Sequence, residues 1–216
     1  MTSLFKARFW QARGGLWIGL FAFALTSVGL VALSPANAQF SSSYTFLKAV
    51  KDRDGAKAKP LLDVPGSVVV NTKDPATGET GLLIATRRRD LPWMGFLLQH
   101  DARTDIRDNQ GETPLTAAAR IGYAEGAQLL LQAGANPNLA TTRGETPLIV
   151  AVQGRDAAIV RMLIGAGADP KLSDSISGMN ARDYALRDGA RSAPLVKLLD
   201  EAKPRADPKK VAGPGL

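Results

Sequence analysis

"GETPLTAAARIG" occupies Gly111–Gly122 and "GETPLIVAVQGR" occupies Gly144–Arg155. The shared opening has two readings: a glycine loop that cradles a phosphate, or the start of a packed helix. A phosphate loop needs a strand, a glycine-rich turn and Lys-Ser/Thr together, and none of the three accompanies either copy. As a helix start every residue has a use. Thr113 caps the first turn through its hydroxyl, and Pro114 gives up an amide hydrogen that would have lacked a partner anyway. Leu115 then begins the buried face. The frame therefore carries no chemistry, and any functional residue moves to the variable end of the phrase, Arg120, and to Asn109 and Gln110 just before it.

The two copies stand 33 residues apart, and the same step backwards lands on "GETGLLIATRRRD" at Gly78. Each is followed by a second apolar run that ends in a small turn: "MGFLLQHDAR" from Met94, "AQLLLQAGAN" from Ala127 and "VRMLIGAGAD" from Val160. Self-similarity at this period marks a solenoid, in which each unit buries its apolar face only against its neighbours. Gly134 and Gly167 supply left-handed stops, and Leu129, Leu130, Met162 and Leu163 form the packing stripe. Two weaker units flank the clear ones. "YTFLKAVKDRDGAKAKPLLDVPG" from Tyr44 reads as the helical half of an opening unit, and "GMNARDYALRDGARSAPLVKLLDEAK" from Gly178 as a closing one, displaced by one residue.

The units resemble ankyrin repeats, whose pattern is roughly D-x-x-G-x-T-P-L-H-x-A-A-x-x-G-H…L-L-x-x-G-A-D-x-N. Asp108, Gly111, Thr113, Pro114, Leu115, Ala118, Ala119, Gly122, Leu130, Leu131, Gly134, Ala135 and Asn138 stand in register. The resemblance implies an all-α ankyrin-repeat solenoid of about five helix-turn-helix units with short β-hairpin fingers, over residues 39–203. Residues 204–216, rich in Pro, Gly and Lys, read as a flexible tail. Departures from the pattern carry information. Leu83, Thr116 and Ile149 replace the usual histidine, so apolar packing is expected there. Arg53-Asp54, Arg89-Asp90 and Arg155-Asp156 replace Gly-His between the helices. Aspartate can cap the second helix, whereas a left-handed arginine costs about 1 kcal/mol. Pro92 falls early enough to be tolerated, and Pro60 is expected to shorten or kink its helix. The longer first finger, "SVVVNTKDPATG", reads as a hairpin with its tip at Asp74–Thr77.

Composition narrows the function classes. The chain has no cysteine and one histidine, His100, so thiolate nucleophiles, Cys/His zinc sites and a Ser/His arrangement elsewhere in the chain lack raw material. Acidic residues occur singly at turns and caps, so no catalytic carboxylate pair is expected; no catalytic, cofactor or metal residue is assigned. At the start, Lys6, Arg8 and Arg13 precede an apolar run over residues 14–33 and then Ala36-Asn37-Ala38. This is the form of a secretory signal peptide over residues 1–38, cleaved between Ala38 and Gln39, with retention as a membrane anchor the alternative. Without the leader, 24 Lys and Arg face 20 Asp and Glu, which is no nucleic-acid signature. A periplasmic or secreted monomer is expected.

Ankyrin proteins commonly bind partners through the finger residues before the glycine and the last turn of the first helix. Here the resemblance points to Lys51, Thr77, Arg87, Arg88, Asn109, Gln110, Arg120, Arg143, Gln153 and Arg187. Six are basic, and in stacked units their fields would add along one concave face. The expected function is a scaffold binding an acidic envelope protein through that face. A membrane-anchored receptor or inhibitor is an alternative, and the resemblance also permits an accessory role for a haem or peroxide-detoxifying enzyme.

Overall fold

The T-P-L phrase starts a helix because its threonine hydroxyl takes over an orphan amide. Thr113 accepts from the Thr116 amide at 3.2 Å and Thr146 from the Ile149 amide at 3.3 Å, with Pro114 and Pro147 opening their helices. Thr80 and Asn180 cap the corresponding helices of the flanking units. The computed structural model describes residues 35–202, and among them ten α-helices form five pairs: α1 (Pro35–Asp52) with α2 (Gly55–Leu62), α3 (Gly81–Arg87) with α4 (Leu91–Gln99), α5 (Pro114–Arg120) with α6 (Ala124–Gln132), α7 (Pro147–Gln153) with α8 (Ala157–Gly165), and α9 (Ala181–Arg187) with α10 (Ala193–Glu201). First helices stack on first helices, and second helices stack likewise from α4 onward. The apolar run at residues 14–33 and the tail 204–216 lie outside the described residues. The Ala38–Gln39 junction falls within the backbone of α1.

Seven-residue first helices are far too short to persist alone, so their stability comes from packing. Residues Pro114 to Ala119 and Pro147 to Val152 are all buried, as a helix covered by neighbours on every side must be. Leu83 and Ile149, which stand where the family carries histidine, are fully buried and pack as expected; Thr116 keeps a polar contact, its hydroxyl 3.0 Å from the capping Thr113. In the second helices Leu97, Leu130 and Leu163 reach zero exposure, while Leu129 and Met162 pack half-buried beside them. Truncating one such leucine to alanine would cost about 2–5 kcal/mol.

The caps between helices also follow the expectation: Asp54, Asp90 and Asp156 accept amides of the second helix. Arg53, Arg89 and Arg155 are left-handed, with φ of 58°, 56° and 56°. Each strained arginine reaches forward into the next unit. Arg53 meets Asp90 at 2.9 Å, Arg89 donates to the Ile121 carbonyl, and Arg155 holds Asp188 with two bonds of 2.7 and 3.0 Å. These links offset the local strain and draw successive units together. The Arg155 hydrogen bond, with that of Ser192, holds the Asp188 carboxyl below its ordinary range.

Helix α2 continues through Pro60 to Leu62, eight residues against nine in the later second helices, the shortening expected of its proline. Two further features go beyond the expectation. Asp101 takes the left-handed stop that Gly134 and Gly167 fill later, and its carbonyl accepts from Asn71 at 3.2 Å. The first finger contains a 3-10 turn, Val69–Asn71, whose valines are buried against α1 before the hairpin bridge Lys73–Thr80 forms. The last finger carries the matching bridge Ser173–Asn180.

Candidate functional site: the finger-side face

Helices α3, α5, α7 and α9 each end on the residue that faces the fingers: Arg87, Arg120, Gln153 and Arg187. One residue after each finger glycine stand Glu79, Glu112, Glu145 and Met179. The structure joins these two series into a ladder of alternating charge. Arg87 contacts Glu79 in its own unit, and Glu112 and Asp108 in the next, the last at 2.9 Å. Arg120 returns to Glu112 at 2.7 Å and reaches forward to Glu145 at 3.4 Å. The carboxylates are the buried members: Asp108, Glu112 and Glu145 are 8%, 4% and 6% exposed, whereas the arginines keep one side in water. Loss of hydration pulls the Arg87 and Arg120 guanidinium pKa values down. The hydrogen bond and charge of Glu112, then Glu79 or Glu145, outweigh that pull and raise them.

The expectation of a continuous positive groove is therefore corrected. Lys51 is held by Asp74 at 2.7 Å, and that hydrogen bond, followed by those from the Ala76 and Thr77 amides, keeps the Asp74 carboxyl below its ordinary range. Arg88 turns back to the Val50 and Lys51 carbonyls and to Asp90. Lys51, Arg87 and Arg120 meet Asp74, Glu79, Asp108, Glu112 and Glu145, so the upstream half of the face carries no positive excess. What sequence reasoning missed was the glutamate of the G-E-T-P-L phrase. The signal was present: glutamate recurs at 79, 112 and 145, with arginine eight residues later at 87 and 120.

The remaining candidates divide into finger contacts and free groups. The finger ladder is built by backbone: the Asn109 amide donates to the Thr77 carbonyl at 3.1 Å, Thr142 to Gln110 at 3.0 Å, and Ser175 to Arg143 at 2.9 Å. The Asn109 side chain adds a bond to the Ala76 carbonyl, and the Thr77 hydroxyl turns to Glu79. Thus Thr77, Asn109 and Gln110 hold neighbouring fingers together. Glycine is required in this ladder: a β-carbon on Gly111 would stand 2.6 Å from the Thr142 nitrogen, closer than real β-carbons come. Downstream the charge ladder breaks. Among the described residues Arg143 and Gln153 are exposed with no side-chain partner, and Arg187 lies over the Tyr184 ring at 4.6 Å, with Met179 where the earlier units have glutamate. His100 ends α4 and meets the edge of Phe96, apart from this face.

Helix pairs stacked in one register, linked by short fingers and presenting one variable face, define a repeat solenoid built for contact along its length. Models of ankyrin repeats match it twice, as three copies over residues 46–141 and as many copies over residues 130–185. The chain belongs to the ankyrin repeat family. Such repeats generally mediate protein–protein interaction, and proteins built of them are typically non-enzymatic.

Proposed function

We propose that the chain is a non-enzymatic protein-binding module of the cell envelope whose recognition surface is the downstream half of the finger-side face. The observation that carries this reading is the break in the charge ladder. Upstream arginines are consumed by buried carboxylates, whereas Arg143 and Arg187 remain without an acid among the described residues. An acidic protein partner fits those two cations, with Gln153 between them offering uncharged donors and an acceptor. Solvent-exposed Ile176, in the last finger, and Leu186, in α9, add apolar area. The acidic groups of the rest of the face are engaged in caps and ion pairs, which supports a binding role over acid–base chemistry.

Export follows from the leader, with cleavage after Ala38. A retained anchor has one observation of its own: α1 carries the chain through Ala38–Gln39 as helix, and a protease takes its substrate extended. Mass spectrometry of the chain from native envelopes separates the two, since cleavage places the first residue at Gln39. For the binding reading, Arg143→Glu should weaken capture of an acidic envelope partner at least ten-fold and flatten its salt dependence. Capture that is unchanged by Arg143→Glu but lost on Arg87→Ala would overturn the assignment to the downstream half.

A further inference from the structure

The finger ladder is closed at its upstream end and open at its downstream end. Each internal step has the same three parts. A backbone amide of the next finger, at Asn109, Thr142 or Ser175, donates to the carbonyl of the residue just before a finger glycine. That glycine, Gly78, Gly111 or Gly144, lies so close to the incoming backbone that a β-carbon would fall within 3.0 Å of it. In the two ion-bridged steps, a glutamate three residues after the donor amide, Glu112 or Glu145, receives the arginine that ends the preceding first helix. All the acceptor parts recur at the end of the stack, and among the described residues nothing occupies them. Gly178 repeats the left-handed conformation at φ 66°, and a β-carbon there would meet none of the described residues within 4 Å. Among the same residues the carbonyl of Ser177 accepts no hydrogen bond and Arg187 meets no carboxylate. Beside them Ile176 is 69% exposed.

We propose that this edge docks an extended acidic segment of another protein: a backbone amide on the Ser177 carbonyl, the segment's backbone against the Gly178 α-carbon, and a carboxylate about three residues further on at Arg187. This rests on the protein-binding reading above and supplies its mode, continuation of the backbone ladder by one strand-like rung. Charge complementarity selects the occupant. A second copy of the chain offers its first finger, but in that five-residue tip Pro75 stands where Ser175 stands in the last one, and proline has no amide hydrogen to donate. The chain's own tail also lacks a part. Donor amides lie ten residues past the last residue of α4, α6 and α8; the same count from α10 reaches Val211, and three residues on stands Pro214 rather than an acid.

The chain's own sequence provides a probe. A synthetic peptide copying Leu139–Leu148, LATTRGETPL, carries the donor amide of Thr142 and the carboxylate of Glu145, and can be titrated into the purified full chain by heteronuclear NMR. Saturable shifts confined to Ser175–Met179 and Arg187 are expected. Peptide Thr142→Pro should bind at least ten-fold more weakly, and peptide Glu145→Gln about three- to ten-fold more weakly. In the protein, Gly178→Asn keeps a left-handed residue and should remove binding while the thermal midpoint falls by no more than about 4 °C; Arg187→Gln should match the loss from the Glu145→Gln peptide without adding to it. Absence of saturable binding at millimolar peptide, equal binding of the Thr142→Pro peptide, or shifts centred on another face would overturn the proposal. So would ten-fold tighter binding after removal of residues 203–216, which would make the tail the occupant, or self-association abolished by Gly178→Asn, which would make it a second copy. Failure of the peptide leaves the Arg143→Glu capture result standing, so the two readings fall separately.

Discussion

Replacing Arg87 with alanine tests whether the arginine is a strut or a ligand-binding group. Its guanidinium serves Glu79, Asp108 and Glu112, whose side chains are 17%, 3% and 6% exposed, while its own is 36% exposed. Removing one member of a fully buried ion pair costs about 3–5 kcal/mol, and an exposed pair contributes about 0–1 kcal/mol. This site lies between them. The stranded carboxylates are desolvated, but Arg120 stays on Glu112, and water can follow where the guanidinium already met solvent. The expected loss is about 2 kcal/mol at pH 7, read by urea denaturation, or a midpoint lowered by about 4–8 °C for a chain of this size. Adding Glu112→Gln removes one of the desolvated charges and should restore part of the loss at pH 7. A deficit under about 0.5 kcal/mol at pH 7, or one that Glu112→Gln leaves unchanged, would refute the strut.

Glycine substitution should cost very different amounts along the finger ladder. Gly144→Asn puts a β-carbon into the Ser175 backbone and should lower stability by about 2–3 kcal/mol, whereas Gly178→Asn meets open space and should cost about 1 kcal/mol or less; equal urea midpoints would contradict the close-approach account. Asp174 accepts from the Ser177 hydroxyl and amide, the Ile176 amide and the Tyr184 hydroxyl, which together hold its carboxyl well below the usual range. A depressed folded-state pKa contributes stability that is fully present above the unfolded value near ~4 and is lost as pH falls below it. Asp174→Asn should therefore reduce the acid sensitivity of the last finger, read as amide-exchange protection at Ser177 between pH 5 and about 3; an unchanged profile would show that Asp174 does not set it.

The fold was legible because its rules are local and repeated. Thr113-Pro114 and Thr146-Pro147 cap helices by contacts three residues long, Asp90 and Asp156 do the same for the second helices, and a fixed register carries the pattern through the chain. Even the left-handed Arg53, Arg89 and Arg155 could be read from their place in the repeat. What was not legible was compensation of charge across units. The residues that end the first helices were counted as a basic face, while their partners sit in the next unit's finger, as Glu112 does for Arg87 at a distance of 25 positions. In the sequence the glutamate of the G-E-T-P-L phrase looks like part of the helix-start frame, whereas its burial makes it the anchor for the arginines above and below. The 3-10 turn at Val69–Asn71 escaped for a related reason: its buried valines answer to α1, which lies earlier in the chain.

Pro75 gives the stack a direction of growth. An edge that accepts a backbone at one end, on a molecule that could donate one at the other, is a head-to-tail contact, and such contacts propagate into open fibres unless the rotation between copies closes a ring. A single residue without an amide hydrogen makes the donating end inert. On the proposed docking mode the receptive edge finds no matching donor at Pro75, and Pro75→Ser would supply the missing amide hydrogen.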